Sequence, residues 1–127
     1  MPVLTPLETV ADLDAALARS ASRPILIFKH SLTCGTSEMA REEVEEVSES
    51  IEREGWPVDL FVVRVQPARA VSNAIEARMR VRHESPQVLL ISNGQVVWRA
   101  SHFRVTATAM AAALRHHVGH ALAPAAR

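Results

Sequence analysis

One cysteine, Cys34, is the residue of this chain best equipped for chemistry. It lies in the run Phe28, Lys29, His30, Ser31, Leu32, Thr33, Cys34, Gly35, Thr36, Ser37, with hydroxyl side chains on both sides. The thiolate, not the thiol, is the nucleophile, so its reactivity depends on what favours the charged form. The unpaired backbone N–H groups of a helix's first turn do so, and the hydroxyls of Thr33, Thr36 and Ser37 offer further donors. Lys29 and His30 push the same way if their side chains turn toward the sulfur. The bland alternative is an inert, buried small apolar group, which the polar neighbours argue against. A lone cysteine excludes an internal disulfide framework and the usual multi-cysteine zinc sites.

The surrounding pattern says what would hold that sulfur. Thr9 to Ser20 places Val10, Leu13, Ala16 and Leu17 at helical spacing, and Thr9 with Asp12 reads as a capping box. Pro24 to Phe28 is a short apolar run, the signature of a strand buried on both faces. From about Gly35 to Glu54, Ala40, Val44, Val47 and Ile51 recur every three or four residues among Glu and Arg, which predicts a long amphipathic helix. Gly55, Trp56 and Pro57 break it before a second inner strand, Val58 to Val65, and a weaker helix is predicted over Arg69 to Arg82. Val88 to Ser92 and Gln95 to Ala100 are joined by Asn93 and Gly94, a hairpin link in which both positions take positive φ. Thr106 is placed to cap a last helix carrying Met110, Ala113, Leu114, His117 and Val118 on one face, with fraying expected after Gly119. A short strand at Val3 and Leu4 is expected ahead of all these.

Alternating helices and strands make the early strands parallel, and the hairpin adds antiparallel strands to one side. The expected class is α/β, a three-layer sandwich with a mixed central sheet between helices, in one domain over residues 1–127. Among folds with this order, the thioredoxin-like architecture places a cysteine between its first long strand and the following helix, where Cys34 lies. Ser37 then occupies the position of the resolving cysteine of dithiol oxidoreductases, and a hydroxyl cannot resolve a mixed disulfide. Monothiol exchange is the chemistry left.

The 14 Lys plus Arg balance the 14 Asp plus Glu, which argues against a nucleic-acid partner. No apolar run reaches the ~18 residues of a membrane span, and the first residues lack the pattern of a signal peptide. A cytoplasmic protein without membrane attachment is expected, and a monomer, since no helix carries a broad apolar stripe to spare.

The run from Phe28 to Ser37 resembles the active-site segment of the monothiol bacilliredoxin-like proteins of the bacillithiol system. The resemblance extends to Val81, Arg82, His83, Glu84, Ser85, Pro86 and Gln87, and to Ser92 through Trp98 followed by Ser101, His102 and Thr106. It implies a thioredoxin-like fold, Cys34 as the nucleophile, and Thr33, Gly35, Thr36, Ser37, His30 and Lys29 around it. It further implies a cis-proline loop of Glu84, Ser85 and Pro86 that pairs its backbone with a substrate segment. The implied partners are S-bacillithiolated client proteins, with bacillithiol as thiol co-substrate and no tightly bound cofactor or metal. Where the family usually reads Thr-Cys-Pro-Ile-Ser, this chain has Gly35, which frees one more backbone N–H near the sulfur.

Cys34, Gly35, Thr36 and Ser37 also look like the Cys-Gly-Phe-Ser motif of monothiol glutaredoxins, which keeps a second reading open: two chains sharing a [2Fe–2S] cluster through Cys34 and a small thiol. The Gly-Gly-Cys/Ser-Asp element that glutaredoxins use for glutathione is absent after the hairpin. A third reading is a silent thioredoxin-like adaptor. His116, His117 and His120 lack an acidic or cysteine partner in sequence and read as a solvated helix end, His83 and His102 as isolated histidines, and Arg78, Arg80 and Arg82 as a solvated basic stripe. Helix-terminal donors and hydroxyls lower the Cys34 pKa, whereas burial under the Pro86 loop and a carboxylate at Glu84 would raise it. A net fall of about one unit below the free-cysteine value of ~8.5 is expected.

Overall fold

The computed structural model describes residues 4–33 and 35–122, the last four of these by backbone alone. Five strands form one sheet in the order β1-β3-β2-β4-β5. They are β1 (Thr5–Pro6), β2 (Ile25–His30), β3 (Asp59–Arg64), β4 (Gln87–Ser92) and β5 (Gln95–Ser101), with helices α1 (Val10–Arg19), α2 (Gly35–Glu54), α3 (Arg69–Met79) and α4 (Ala107–Leu122). β1 and β2 run parallel to β3, while β4 runs antiparallel to both β2 and β5. This is the thioredoxin-like mixed sheet between helices that the element order implies.

Strand alternation sorts the central apolar runs into two cores. Leu26 and Phe28 of β2, with Leu60, Val88 and Leu90, pack under Ala40, Val44, Val47 and Ile51 of α2 and Met110, Leu114 and Val118 of α4. Ile25 and Ile27, with Phe61, Val63, Leu89 and Ile91, face Leu13 and Ala16 of α1 and Val71 and Ile75 of α3. All six residues of β2 are buried, as the unbroken apolar run requires of a strand covered on both faces.

Local signals set the ends of these elements. Thr9 accepts the Asp12 N–H at 3.0 Å while the Asp12 carboxylate accepts the Thr9 N–H at 3.2 Å, the reciprocal capping box. Thr106 caps α4 by accepting the Ala109 N–H at 3.1 Å. Asn93 and Gly94, at φ 53° and 74°, turn the β4–β5 hairpin.

Apart from one-residue shifts at strand ends, the structure departs from the sequence reading at four places. β2 continues two residues past Phe28, to His30. α3 stops at Met79 rather than near Arg82, because Arg80 takes the left-handed conformation at φ 56°, which ends a helix. The first strand is Thr5–Pro6, so Leu4 precedes it and Val3 lies outside the described residues. α4 runs on through Gly119 to Leu122, and a 3-10 turn, His102–Arg104, precedes it.

Candidate active site

The expected nucleophile, Cys34, lies outside the described residues; its two neighbours in the chain do not. β2 delivers the chain at His30, Ser31 to Thr33 make the turn, and α2 begins at Gly35. Ser37, in the first turn of α2, is fully buried, and its Oγ accepts the Ser31 backbone N–H at 3.1 Å. The turn is held from the other side by Gln66, which accepts the Leu32 N–H at 3.0 Å and donates to Ser31 Oγ at 2.9 Å and Thr33 Oγ1 at 3.3 Å. Gln66 follows β3 and is more than thirty positions away in sequence, so no local pattern could single it out.

Because side chains alternate along a strand, the extension of β2 sends Lys29 and His30 to opposite faces. His30 lies on the α2 side, its ring 5.3 Å from that of Phe28. Burial pushes its pKa below the ordinary histidine value, against the opposing pull of Glu38, so at neutral pH the ring contributes no full positive charge. Lys29 goes to the α3 side, fully buried, and its Nζ donates to the Ser72 carbonyl at 3.4 Å. Burial lowers its pKa to about 8, with Glu76 acting in the other direction. The sequence placed Lys29 among the groups beside the sulfur, whereas its ammonium is held by α3.

The Ser85–Pro86 peptide bond is cis. The Pro86 carbonyl accepts the His102 N–H at 2.9 Å, which ties the loop to the 3-10 turn. Ser85 Oγ is buried and unpartnered. Glu84 is turned to the end of β5, where its Oε1 accepts the Ser101 hydroxyl at 2.6 Å and lies 3.1 Å from His102 Nε2. The Ser101 hydrogen bond, helped by the nearby His102 ring, holds the Glu84 carboxyl below the usual range. Behind the loop, the Glu76 carboxylate accepts the His83 N–H at 2.8 Å, and Gln87 Nε2 donates to the Arg82 carbonyl at 3.2 Å. With Ser72, whose Oγ lies 3.3 Å from His83 Nδ1, Glu76 and Gln87 thus steady the proline loop, which their scattered positions did not reveal.

Exposed apolar side chains gather on the same elements. Leu32 in the turn, Met39 in α2 and Phe103 in the 3-10 turn are 55%, 59% and 75% exposed. Met39 and Phe103 line one cavity of about 220 Å³ together with Thr36 and His102. Among the described residues no group of three or more His, Cys, Asp or Glu side chains is placed to hold a metal ion, and His116 and His117 stack edge to face on α4. No helix among the described residues is long and apolar enough to cross a membrane.

Solved structures share this architecture. A thioredoxin-fold protein described as a proposed oxidoreductase superposes with a TM-score of 0.75 at 27% identity, over 87% of this chain and 93% of its own. Fasciola hepatica thioredoxin aligns over 90% of this chain and 99% of its own, with a TM-score of 0.72 and 20% identity. Malassezia sympodialis thioredoxin aligns over 93% of each chain, with a TM-score of 0.74 and 14% identity, a likeness of fold alone. The family model described as Monothiol bacilliredoxin BrxC matches residues 5–110, which take in the Cys34 turn, the proline loop and the hairpin. The chain therefore belongs to the monothiol bacilliredoxin family, thiol–disulfide oxidoreductases built on the thioredoxin fold.

Proposed function

We propose that this protein removes bacillithiol from S-bacillithiolated proteins by monothiol exchange at Cys34. The observation that carries the reading is Ser37: the resolving position holds a buried hydroxyl already engaged by the Ser31 N–H. The Cys34 thiolate attacks the bacillithiol sulfur of the client's mixed disulfide. One S–S bond forms as another breaks, and the client sulfur leaves as a thiolate that takes up a proton. The two oxidising equivalents stay in the disulfide, now between Cys34 and bacillithiol, and a second thiol must release it.

Around this step, Thr33, Gly35, Thr36 and Ser37 supply the donors of the turn and the first helical residues. Glu84, Ser85 and Pro86 receive the client backbone, while Met39 and Phe103 give an apolar seat beside it. His30 contributes a neutral wall. Lys29 braces α3 through the Ser72 carbonyl.

Mixing an S-bacillithiolated client with the protein tests the reading. Free client thiol should appear with the wild-type chain and not with Cys34→Ala; release that survives that substitution rejects it. Anaerobic incubation with iron, sulfide and a small thiol should leave the chain colourless, since the alternative cluster module would colour.

A further inference from the structure

On the α2 face of the sheet, at the end where β2 passes into the Cys34 turn, lies a second cavity of about 280 Å³. Phe28 and Val62, register partners on β2 and β3, line it together with Leu4, and Leu32, 55% exposed, stands at its mouth. The next register pair on the same face is His30 with Arg64, and both also line it, as do Arg41 and Glu45 of α2. The cavity is thus apolar within and charged at its edge.

The charges are not equivalent. Arg41 is committed to Glu38 and Glu45 along its own helix. Arg64 is exposed and, among the described residues, its side chain has no ion pair or hydrogen bond. An unneutralised guanidinium beside an apolar cavity fits a carboxylate on a mostly apolar stem, because its planar fork matches a carboxylate with two hydrogen bonds. His30, 8% exposed, lines the cavity beside Arg64 as a buried ring.

Leu32 fixes where such an occupant comes from. It is two residues from Cys34 in the chain, so their Cα atoms are at most about 7 Å apart. A small molecule disulfide-bonded to Cys34 is thus tethered to a residue whose Cα is, by chain length alone, within about 7 Å of one that lines the cavity. We infer that this cavity seats the non-sulfur part of a carboxylate-bearing low-molecular-weight thiol, and that Arg64 captures its carboxylate. This rests on exchange at Cys34 and adds the residue that selects the small thiol.

The test follows the rate at which intact wild-type, Arg64→Gln, Arg64→Lys and Leu32→Glu proteins become S-thiolated at Cys34. Three small disulfides serve as probes: bacillithiol disulfide, glutathione disulfide and the uncharged 2-hydroxyethyl disulfide. Arg64→Gln should slow reaction with a carboxylate-bearing disulfide about tenfold, the loss expected for one charge-assisted contact. It should leave 2-hydroxyethyl disulfide unchanged. Arg64→Lys should recover part of the loss, and Leu32→Glu, a surface change that puts a like charge at the entrance, should reproduce it. The larger Arg64 dependence between the two natural thiols identifies which one the cavity fits. Equal slowing of all three probes, or of none, overturns the assignment while leaving exchange intact. A wild-type chain inert to all three overturns the exchange reading itself.

Discussion

The Ser37 hydroxyl accepts the Ser31 backbone N–H at 3.1 Å, across the turn that contains Cys34. Ser37 is fully buried and belongs to the first turn of α2, whereas Ser31 directly follows β2. One hydrogen bond therefore closes the strand-to-helix junction at the place where a dithiol enzyme would keep its second sulfur. Ser37→Cys should trade that acceptor for a thiol one helical turn from Cys34, and the variant should form an internal disulfide under mild oxidant. Thiol titration checks it: loss of both free thiols is expected, and two persistent thiols would place the nucleophile elsewhere. Ser37→Ala should cost about 1–3 kcal/mol in urea unfolding, because it leaves the Ser31 N–H buried without an acceptor.

Lys29 gives a pH signature of stability. Burial lowers its folded pKa to about 8, from the ordinary lysine value of 10.5. Between those two values the unfolded chain binds more protons than the folded one, so stability rises with pH across about 8 to 10.5. Below about pH 8 both states carry the proton and the term is constant at its least favourable. Lys29→Met should remove that slope and raise the thermal midpoint at pH 7 by roughly 3–8 °C. Melting curves at pH 7, 9 and 10 for both proteins decide it, and an unchanged slope in the variant would reject the buried-ammonium account.

Gly35 opens α2, with nothing within 4 Å of where a Cβ would stand. Proline is well suited to a first helical position. Gly35→Pro should stabilise the fold by about 0.4–1 kcal/mol through the unfolded state. It also deletes one backbone N–H near the thiol, so the Cys34 pKa should rise. Iodoacetamide alkylation across pH measures the change. The wild-type midpoint should fall below ~8.5 and the variant's above the wild type's; a wild-type midpoint at or above that value would favour the silent adaptor.

Phe103, 75% exposed in the cavity shared with Met39, separates protein clients from small disulfides. Phe103→Ser should change stability by no more than about 0.5 kcal/mol, as surface substitutions do. It should raise KM for a protein client severalfold while leaving reaction with 2-hydroxyethyl disulfide unchanged. Equal effects on both would remove the apolar seat from the proposed function.

Much of this was legible in the chain because it is local. The three-to-four spacing of Ala40, Val44, Val47 and Ile51 marks α2, and Thr9 with Asp12 or Asn93 with Gly94 carry their geometry in a few adjacent residues. The side to which Lys29 turns could not be read from the chain because a strand's face assignment depends on where the strand ends, and two further residues of β2 put Lys29 and His30 on opposite sides. The end of α3 was missed because Arg80 takes a positive φ that arginine does not advertise. The supports of the site, Gln66 for the Cys34 turn and Ser72, Glu76 and Gln87 for the proline loop, meet their partners only after folding. Arg64 likewise reads as one more surface arginine until β3 pairs it with His30.

The most direct test is intact mass measurement after mixing the reduced protein with a stoichiometric S-bacillithiolated client. The chain should gain one bacillithiol mass, mapped to Cys34, for each client thiol freed, and Cys34→Ala should gain none. Client thiol freed while the chain stays unmodified and bacillithiol appears in solution, or an adduct that persists in Cys34→Ala, would contradict it.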